Sequence, residues 1–70
     1  MQSIEFNLHE DYIELIKLLK AVNLASSGGM AKLMVEEGEV QVNEAVEFRK
    51  RRKCRVGDQI RVSEIEIQIV

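Results

Sequence analysis

The sequence predicts an α+β fold in which two packed helices lie against a small antiparallel sheet of about four to five short strands. Apolar residues alternate with polar ones near the start, follow a helical period between about residues 10 and 37, and alternate again from residue 40 onward. Helices and strands are therefore segregated along the chain, which is typical of this class. Because 70 residues are the length of one small domain, we interpret residues 1–70 as a single domain.

The first strand and the first helix are predicted from a change of period. Residues 4–8 alternate apolar with polar side chains, as expected of a half-buried strand. Asn7 and Glu10 have the spacing of a helix capping box, with His9 between them. A helix is expected over residues 10–22 because apolar residues recur at the spacing i, i+3, i+4 and i+7. The residues on this apolar stripe are Tyr12, Leu15, Ile16, Leu19 and Val22.

A second, shorter helix is predicted after a break in the pattern at residues 23–25. Ser26 and Ser27 are good N-cap residues for a helix over residues 28–37, and Gly38 is expected to end it. Its expected apolar face is Met30, Leu33 and Met34, with Ala31 and Val35 beside them.

The next two strands are predicted to form a hairpin. Val40 and Val42 share one face, and Val46 and Phe48 reach the same face if residues 43–45 form a three-residue connection with a bulge. A two-residue turn would instead direct Ala45 and Glu47 inward. We therefore expect the longer connection.

The last two strands follow a turn at residues 56–58. Ile60 and Val62 alternate with polar residues, and a two-residue turn at residues 63–64 leads into the final strand. Val62 and Ile65 flank this turn on one face, so the predicted register is consistent with both patterns.

The strongest functional indication is a cluster of positive charge, the basic run, at residues 49–55. It holds six cations within seven residues, whereas the protein as a whole carries a net charge of −2. Ordinary surfaces intersperse both signs, and clustered cations repel one another, so a polyanionic partner is expected. The alternative is a solvated surface without a partner. Phospholipid is a weaker candidate than nucleic acid because no amphipathic anchor helix accompanies the run.

A second candidate site is the start of the second helix. Gly28 and Gly29 are poor helix formers, but they leave backbone N–H groups open to a closely approaching anion. Lys32 follows one turn later, and Lys20 precedes the turn in sequence. The alternative is that the glycines only allow tight packing against the first helix, and the sequence leaves both interpretations open.

Other classes of function have little support in the sequence. We find no nucleophile with a base at a recognisable spacing, no metal-ligand cluster and no phosphate-binding loop of the Walker type, so neither an enzyme nor a cofactor is expected. The one cysteine, Cys54, is expected to fill an apolar position rather than to react. Its inability to form an internal disulfide suits the cytoplasm, and neither a membrane span nor a signal peptide is expected.

The three aromatic residues, Phe6, Tyr12 and Phe48, are all expected to face inward by periodicity. Base stacking on exposed rings is then absent, which favours recognition of the backbone and shape of folded RNA.

The order of motifs from residue 18 to residue 60 resembles the RNA-binding domain named after small-subunit ribosomal protein four, the alpha-L motif. Ser27-Gly28-Gly29-Met30-Ala31-Lys32, followed by a Val-Glu-x-Arg-Lys-Arg-x-Lys stretch at residues 46–53, is similar to the stand-alone bacterial YbcJ-type family. The remaining matching segments are residues 18–20, 38–43 and 56–60.

This resemblance implies binding of structured ribosomal or transfer RNA by a surface of the helix pair and the strand hairpin. It also implies association with the ribosome. Two residues depart from the family pattern: Gly28 stands where much of the wider family has arginine, and Glu44 stands where glycine is common. If position 44 has a positive φ, Glu44 is strained there.

We therefore expect a cytoplasmic, monomeric, non-catalytic module that binds structured RNA. The alternative is a protein-interaction module whose basic run docks an acidic partner, and an enzyme or enzyme fragment is the third and weakest hypothesis. The candidate RNA-binding residues are Lys20, Ser27, Gly28, Gly29, Lys32, Asn43, Arg49, Lys50, Arg51, Arg52, Lys53 and Arg55.

Overall fold

The computed structural model, which describes residues 2–70, contains two helices and seven short strands. Five of the strands and both helices follow the predicted order, and the two-residue strands at residues 13–14 and 53–54 were not predicted. Neither helix among these residues has the length or the apolar content needed to cross a membrane. The elements are β1 Gln2–Phe6, β2 Ile13–Glu14, α1 Leu15–Ala21, α2 Gly28–Glu36, β3 Val40–Val42, β4 Ala45–Val46, β5 Lys53–Cys54, β6 Gln59–Val62 and β7 Ile65–Ile69.

The main sheet has five strands in the order β1-β7-β6-β3-β4, and the helix pair covers one face of it. The predicted α+β fold and strand number are confirmed, but the sheet is mixed, not wholly antiparallel. Strand β1 pairs with β7 in parallel, with Ile4 opposite Ile67. A parallel pair needs a long connection between its strands, and the helices and the other strands provide it here.

The core lies between the helix pair and the inner face of the sheet. It is apolar throughout, and among residues 2–70 it contains no buried charged or polar residue. Removal of these side chains from water is the main favourable contribution to folding. The buried residues are Leu15, Leu18, Leu19, Ala25, Ala31, Val35, Val40, Val42, Cys54, Ile60, Val62, Ile67 and Ile69.

Helix α1 begins five residues later than predicted, at Leu15. Residues 13–14 form β2 instead, which pairs with β5 so that Ile13 lies opposite Cys54. The predicted Asn7–Glu10 capping box is therefore wrong, since the N-cap residue is Glu14, and it makes no side-chain cap bond. His9 is exposed and lies outside the helix. The helix ends at the predicted break, where Asn23 has a φ of 63° and Leu24 N–H donates to Leu19 O.

Helix α2 lies within one residue of its predicted bounds, but only part of its predicted apolar face is buried. Ser27 is its N-cap, and the Ser27 Oγ accepts a hydrogen bond from Met30 N–H at 3.1 Å. The buried side chains are Ala31 and Val35, whereas Leu33 is exposed. Met34 is half-buried against the core, so Ala31, Met34 and Val35 bear out the prediction, whereas it was wrong to place Leu33 inward. Met30, also predicted inward, is likewise exposed.

The β3–β4 hairpin has a two-residue turn, so the predicted three-residue connection with a bulge is wrong. Val42 pairs with Ala45 across the turn formed by Asn43 and Glu44, whose φ angles are 51° and 73°. Two consecutive positive φ values characterise the type I′ turn, whose twist matches that of the flanking strands. Val46 and Phe48 consequently leave the core face and are exposed.

The C-terminal strands follow the prediction closely. Residues 55–58 form a turn closed by a hydrogen bond from Asp58 N–H to Arg55 O. Strands β6 and β7 pair in the predicted register, with Val62 opposite Ile65. Cys54 is fully buried, as expected of an apolar filler. Burial raises the pKa of its thiol to about 11, against the opposing effect of the nearby Arg52, so the thiol is protonated at neutral pH.

Candidate nucleic-acid interface

The basic run connects β4 to β6 and lies at the start of α1. Leu15 N–H donates to Arg52 O at 2.9 Å, and Ile16 N–H donates to Lys50 O at 3.2 Å. The first N–H groups of a helix have no partner within the helix, so carbonyls of the basic run replace the missing side-chain cap. The β2–β5 pairing fixes residues 53–54 beside the same site. The backbone of the basic run is thus attached to the helix pair.

Carboxylates from elsewhere in the fold lie against several of the six cations. Glu47 accepts two side-chain bonds from Arg49, at 2.9 and 3.1 Å, and forms an ion pair with Arg52 at 3.0 Å. The hydrogen bonds from Arg49 hold the pKa of Glu47 below its ordinary value, although burial of the carboxylate opposes this. The sequence has no acid within the basic run itself. Glu47 comes from the inward side of the type I′ hairpin that precedes the run.

Two further cations are paired with helix residues. Lys50 Nζ lies 3.0 Å from Glu36 on the last turn of α2, and Arg51 Nε lies 3.1 Å from the N-cap residue Glu14. Lys50 and Glu36 are both accessible to solvent, and exposed pairs of this kind stabilise a protein by only about 0–1 kcal/mol. A phosphate group can therefore displace Glu36 at small cost, whereas the Glu14 side chain is only 16% exposed.

Arg52 differs from its neighbours because its side chain is only 24% exposed, compared with 76% for Arg49. It pairs with Glu47 and, at 3.6 Å, with Asp58. One of its terminal nitrogens, Nη1, is buried and makes no hydrogen bond. Arg52 therefore binds the hairpin to the turn at residues 55–58, and less of its charge faces solvent than that of Arg49.

The last two cations of the basic run lie against an aromatic ring. Lys53 Nζ is 4.9 Å from the centroid of Tyr12, and Arg55 Cζ is 5.9 Å from it. Tyr12 was predicted to face inward on a helix, but it precedes β2, and its side chain is 38% exposed. Phe48 is also exposed, at 61%. The expectation that exposed aromatic rings are absent is therefore wrong.

Asn43 connects the hairpin turn to the start of β6. Its Nδ2 donates to Asp58 at 3.0 Å, and its Oδ1 accepts from Gln59 N–H at 3.0 Å. Burial alone would raise the pKa of Asp58, but hydrogen bonds from Arg55 N–H and Asn43, with the nearby arginine charges, outweigh it and lower the pKa. Asp58 is thus ionised at neutral pH and helps to position the basic run.

The start of α2 is an open surface. A Cβ at Gly28 would meet no atom within 4 Å, and one at Gly29 would meet only Ser27 Oγ at 3.9 Å. Packing against α1 therefore does not require glycine at either position. Within residues 2–70 the N–H groups of Gly28 and Gly29 have no acceptor, as expected of a first helical turn. These two groups are available to a ligand.

The two candidate regions lie at opposite ends of the helix pair. The basic run contacts the start of α1 and the end of α2, whereas Lys20 and Ser27 lie at the other end. Nine residues of helix span roughly 13 Å. Lys32 lies between the two ends, because it shares a helix face with Glu36, the partner of Lys50. An exposed path along α2 therefore joins the two regions.

Residues 6–70 match the family model described as the S4 domain. The chain belongs to the S4 domain family. This S4 domain is 39% identical over 59 residues to an Escherichia coli (strain K12) protein named "Putative RNA-binding protein YbcJ", a match that covers 84% of each chain. It is also 38% identical over 56 residues to "Probable ribosome maturation protein RlbA" of Bacillus subtilis (strain 168). That match covers 80% of this chain and 79% of that protein.

A solved structure confirms the fold of this S4 domain. The solution structure of YbcJ from E. coli, described as having an alpha-L motif involved in RNA binding, is similar with a TM-score of 0.67 at 36% identity. The match covers 100% of this chain and 87% of that chain. The resemblance found in the sequence, to the alpha-L and YbcJ-like family, is thereby confirmed.

Proposed function

We propose that this S4 domain binds structured RNA, ribosomal or transfer RNA, without catalysing a reaction. The observation that carries the proposal is the surface of exposed cations held at the start of α1 by backbone hydrogen bonds from Leu15 and Ile16. Phosphate contacts supply most of the affinity of such surfaces. The names of the two relatives, one RNA-binding and the other a ribosome maturation protein, point in the same direction.

In this proposal the residues at the interface have three roles. The exposed cations of the basic run, with Lys20 and Lys32, contact phosphates. Gly28 and Gly29 offer backbone N–H groups beside the Ser27 cap. Arg52 and Asn43 act mainly by holding the hairpin, the basic run and β6 together. We further infer that the protein acts as one monomeric domain in the cytoplasm, in association with the ribosome.

The absence of a catalytic step is part of the proposal. The side chains at the interface are cations, hydrogen-bond donors and aromatic rings, which bind and orient a polyanion. Cys54 is buried and carries a raised pKa, so it is not a nucleophile at neutral pH.

The proposal is tested by the salt dependence of RNA binding. If roughly three to five phosphates are neutralised, the logarithm of the association constant for a hairpin RNA falls with the logarithm of salt concentration with a slope of about −3 to −5. Replacing Arg49, Lys50 and Arg51 by Gln flattens this slope without unfolding the protein. Arg61→Gln is the control, because Arg61 is an exposed cation on the sheet face away from the helices. Binding by the triple variant with an unchanged slope would overturn the assignment.

A protein-interaction function is the second candidate, and one observation favours it. Val46 and Phe48 are exposed apolar side chains directly before the basic run, a combination that suits an acidic protein partner. A complex that is captured from cells and survives ribonuclease treatment would support this alternative over RNA binding.

A further inference from the structure

Tyr12 is an exposed ring whose position and cationic neighbours are fixed by backbone pairing. Within residues 2–70, both cation–ring contacts involve Tyr12, one with Lys53 and one with Arg55. The β2–β5 ladder places Glu14 opposite Lys53 and so holds the chain on either side of this contact. The fold therefore holds the segment that carries the ring beside the segment that carries the two cations.

We propose that Tyr12 is a stacking site for one unpaired base of the bound RNA, with Lys53 and Arg55 on the adjacent phosphates. This inference rests on the proposed function, since it assigns part of the same surface to a particular feature of the RNA. The sequence analysis favoured recognition of the backbone and shape of the RNA alone. In the present inference the protein also binds one base from a bulge or loop.

The relative strengths of the contacts favour this exchange. A cation over an exposed aromatic ring contributes roughly a 2- to 5-fold factor to an equilibrium, whereas a base stacked on such a ring contributes roughly 5- to 150-fold. Lys53 and Arg55 have long, exposed side chains that can move from the ring to a phosphate oxygen. Binding then loses two weak contacts and gains a stack and two phosphate contacts.

The charge around Tyr12 sets the direction of approach. The cations Lys53 and Arg55 lie over the ring, and the ring also lines an open groove with Glu10, Asp11, Glu14 and Lys17. Lys17 lies 4.0 Å from Glu14, so the carboxylates of the groove outnumber its one cation. Carboxylates repel phosphate but not a neutral base. The RNA phosphates are therefore expected at Lys53 and Arg55, while a neutral base can extend over the ring toward the groove.

Phe48 provides a matched comparison. It is more exposed than Tyr12, but its ring lies against Gly38, where a Cβ would be 3.4 Å from Phe48 Cε1. The described residues place no cation over it, since both such contacts belong to Tyr12. The inference therefore assigns base stacking to Tyr12 and not to Phe48, although both rings are exposed.

The test uses two hairpin RNAs with the same stem, one fully paired and one with a single bulged 2-aminopurine. The wild-type protein is expected to bind the bulged hairpin roughly 5- to 150-fold more tightly, and binding quenches the fluorescence of the bulged base. Tyr12→Phe keeps both effects because it keeps the ring. Tyr12→Leu loses both while it binds the paired hairpin within about twofold of wild type. Phe48→Leu behaves like wild type.

Several outcomes would overturn the inference. These are equal affinity of the wild-type protein for both hairpins, quenching that persists in Tyr12→Leu, and loss of quenching in Phe48→Leu instead. If Tyr12→Leu is unstable, equal affinity of the wild-type protein for both hairpins or loss of quenching in Phe48→Leu still overturns the inference. Failure of the wild-type protein to bind either hairpin would overturn the proposed function itself, whereas equal binding of both hairpins removes only the stacking inference.

Discussion

The polar groups at the two ends of the helix pair differ in whether they already have a partner within the protein. At the end that carries the basic run, four cations are paired with carboxylates of Glu14, Glu36, Glu47 and Asp58. At the other end, Lys20 forms no ion pair within the described part of the chain, and the first N–H groups of α2 are open. Most of the cations at the end with more charge are thus already paired within the fold, whereas the groups at the opposite end are not.

The number of cations in a segment therefore does not measure the charge that is available to a ligand. The carboxylates around the basic run hold it in place and compete with phosphate for it. The opposite end contributes fewer charges, but none of them must first be released. The following predictions test this contrast, beginning with the largest expected effect.

The first prediction separates the enclosed arginine from an exposed one. We expect Arg52→Ala to lower the free energy of unfolding by about 1–3 kcal/mol, because it leaves Glu47 and Asp58 without a partly buried partner. Arg49→Ala should lower it less, by about 0–1 kcal/mol, because Arg49 is 76% exposed and Glu47 keeps its ion pair with Arg52. Urea denaturation of both variants measures the difference. Equal values would mean that Arg52 does not bind the hairpin to the neighbouring turn.

The second prediction adds a charge to the open end of the helix pair. A Cβ at Gly28 meets no atom within 4 Å, and Gly28→Arg introduces the arginine that the family resemblance leads us to expect at this position. It should raise RNA affinity at low salt roughly fivefold, about 1 kcal/mol, and steepen the salt slope by about 0.9 for one added phosphate contact. Gly28→Ala is the control for the change in helix propensity. A slope that remains at the Gly28→Ala value would exclude the start of α2 from the RNA surface.

The third prediction concerns the hairpin turn beside the basic run. Glu44 has a φ of 73°, so Glu44→Gly should raise the free energy of unfolding by about 0.4–1 kcal/mol through relief of strain at that position. Ser63 has a φ of 55° in the other two-residue turn, and Ser63→Gly should stabilise similarly. Thermal midpoints of the two variants provide the measurement. A lower midpoint for Glu44→Gly alone would show that its side chain stabilises the turn.

The fourth prediction releases a cation without adding one. Glu36→Gln removes the carboxylate that pairs with Lys50 at 3.0 Å and should strengthen RNA binding at low salt about two- to threefold, a few tenths of a kcal/mol. Glu66→Gln removes an equal charge on the outer face of the sheet, where Glu66 lies 3.9 Å from Arg61, and serves as the control. If both variants gain equally, net charge explains the effect and competition at Lys50 does not.

The parts of the fold that the sequence predicted well are determined by local pattern. The β6–β7 register follows from alternation on both sides of a two-residue turn, and the cap of α2 follows from Ser27 and the helix after it. The start of α1 could not be found in this way. Its position depends on pairing of residues 13–14 with residues 53–54, which lie about forty positions later in the chain.

The errors at the candidate site have the same origin. Glu47 faces inward because Arg49 and Arg52 compensate its charge, so the sequence rule that keeps acids off the core face failed for this hairpin. The sequence had already shown that a two-residue turn would direct Glu47 inward, and the arginines that follow it are the feature that could have decided between the two turns. Tyr12 was misplaced because it continues the apolar spacing of α1 although it lies before β2.

The parallel pairing of β1 with β7 has a consequence for how the protein folds. Gln2 lies opposite Ile65, so strand partners more than sixty residues apart in sequence must meet before the sheet is complete. Contacts of such long range slow folding, because the entropy of closing the chain is lost before the contacts form. During synthesis, the start of α1 therefore waits for residues 50–54, and the sheet is completed only after residues 65–69 have been added.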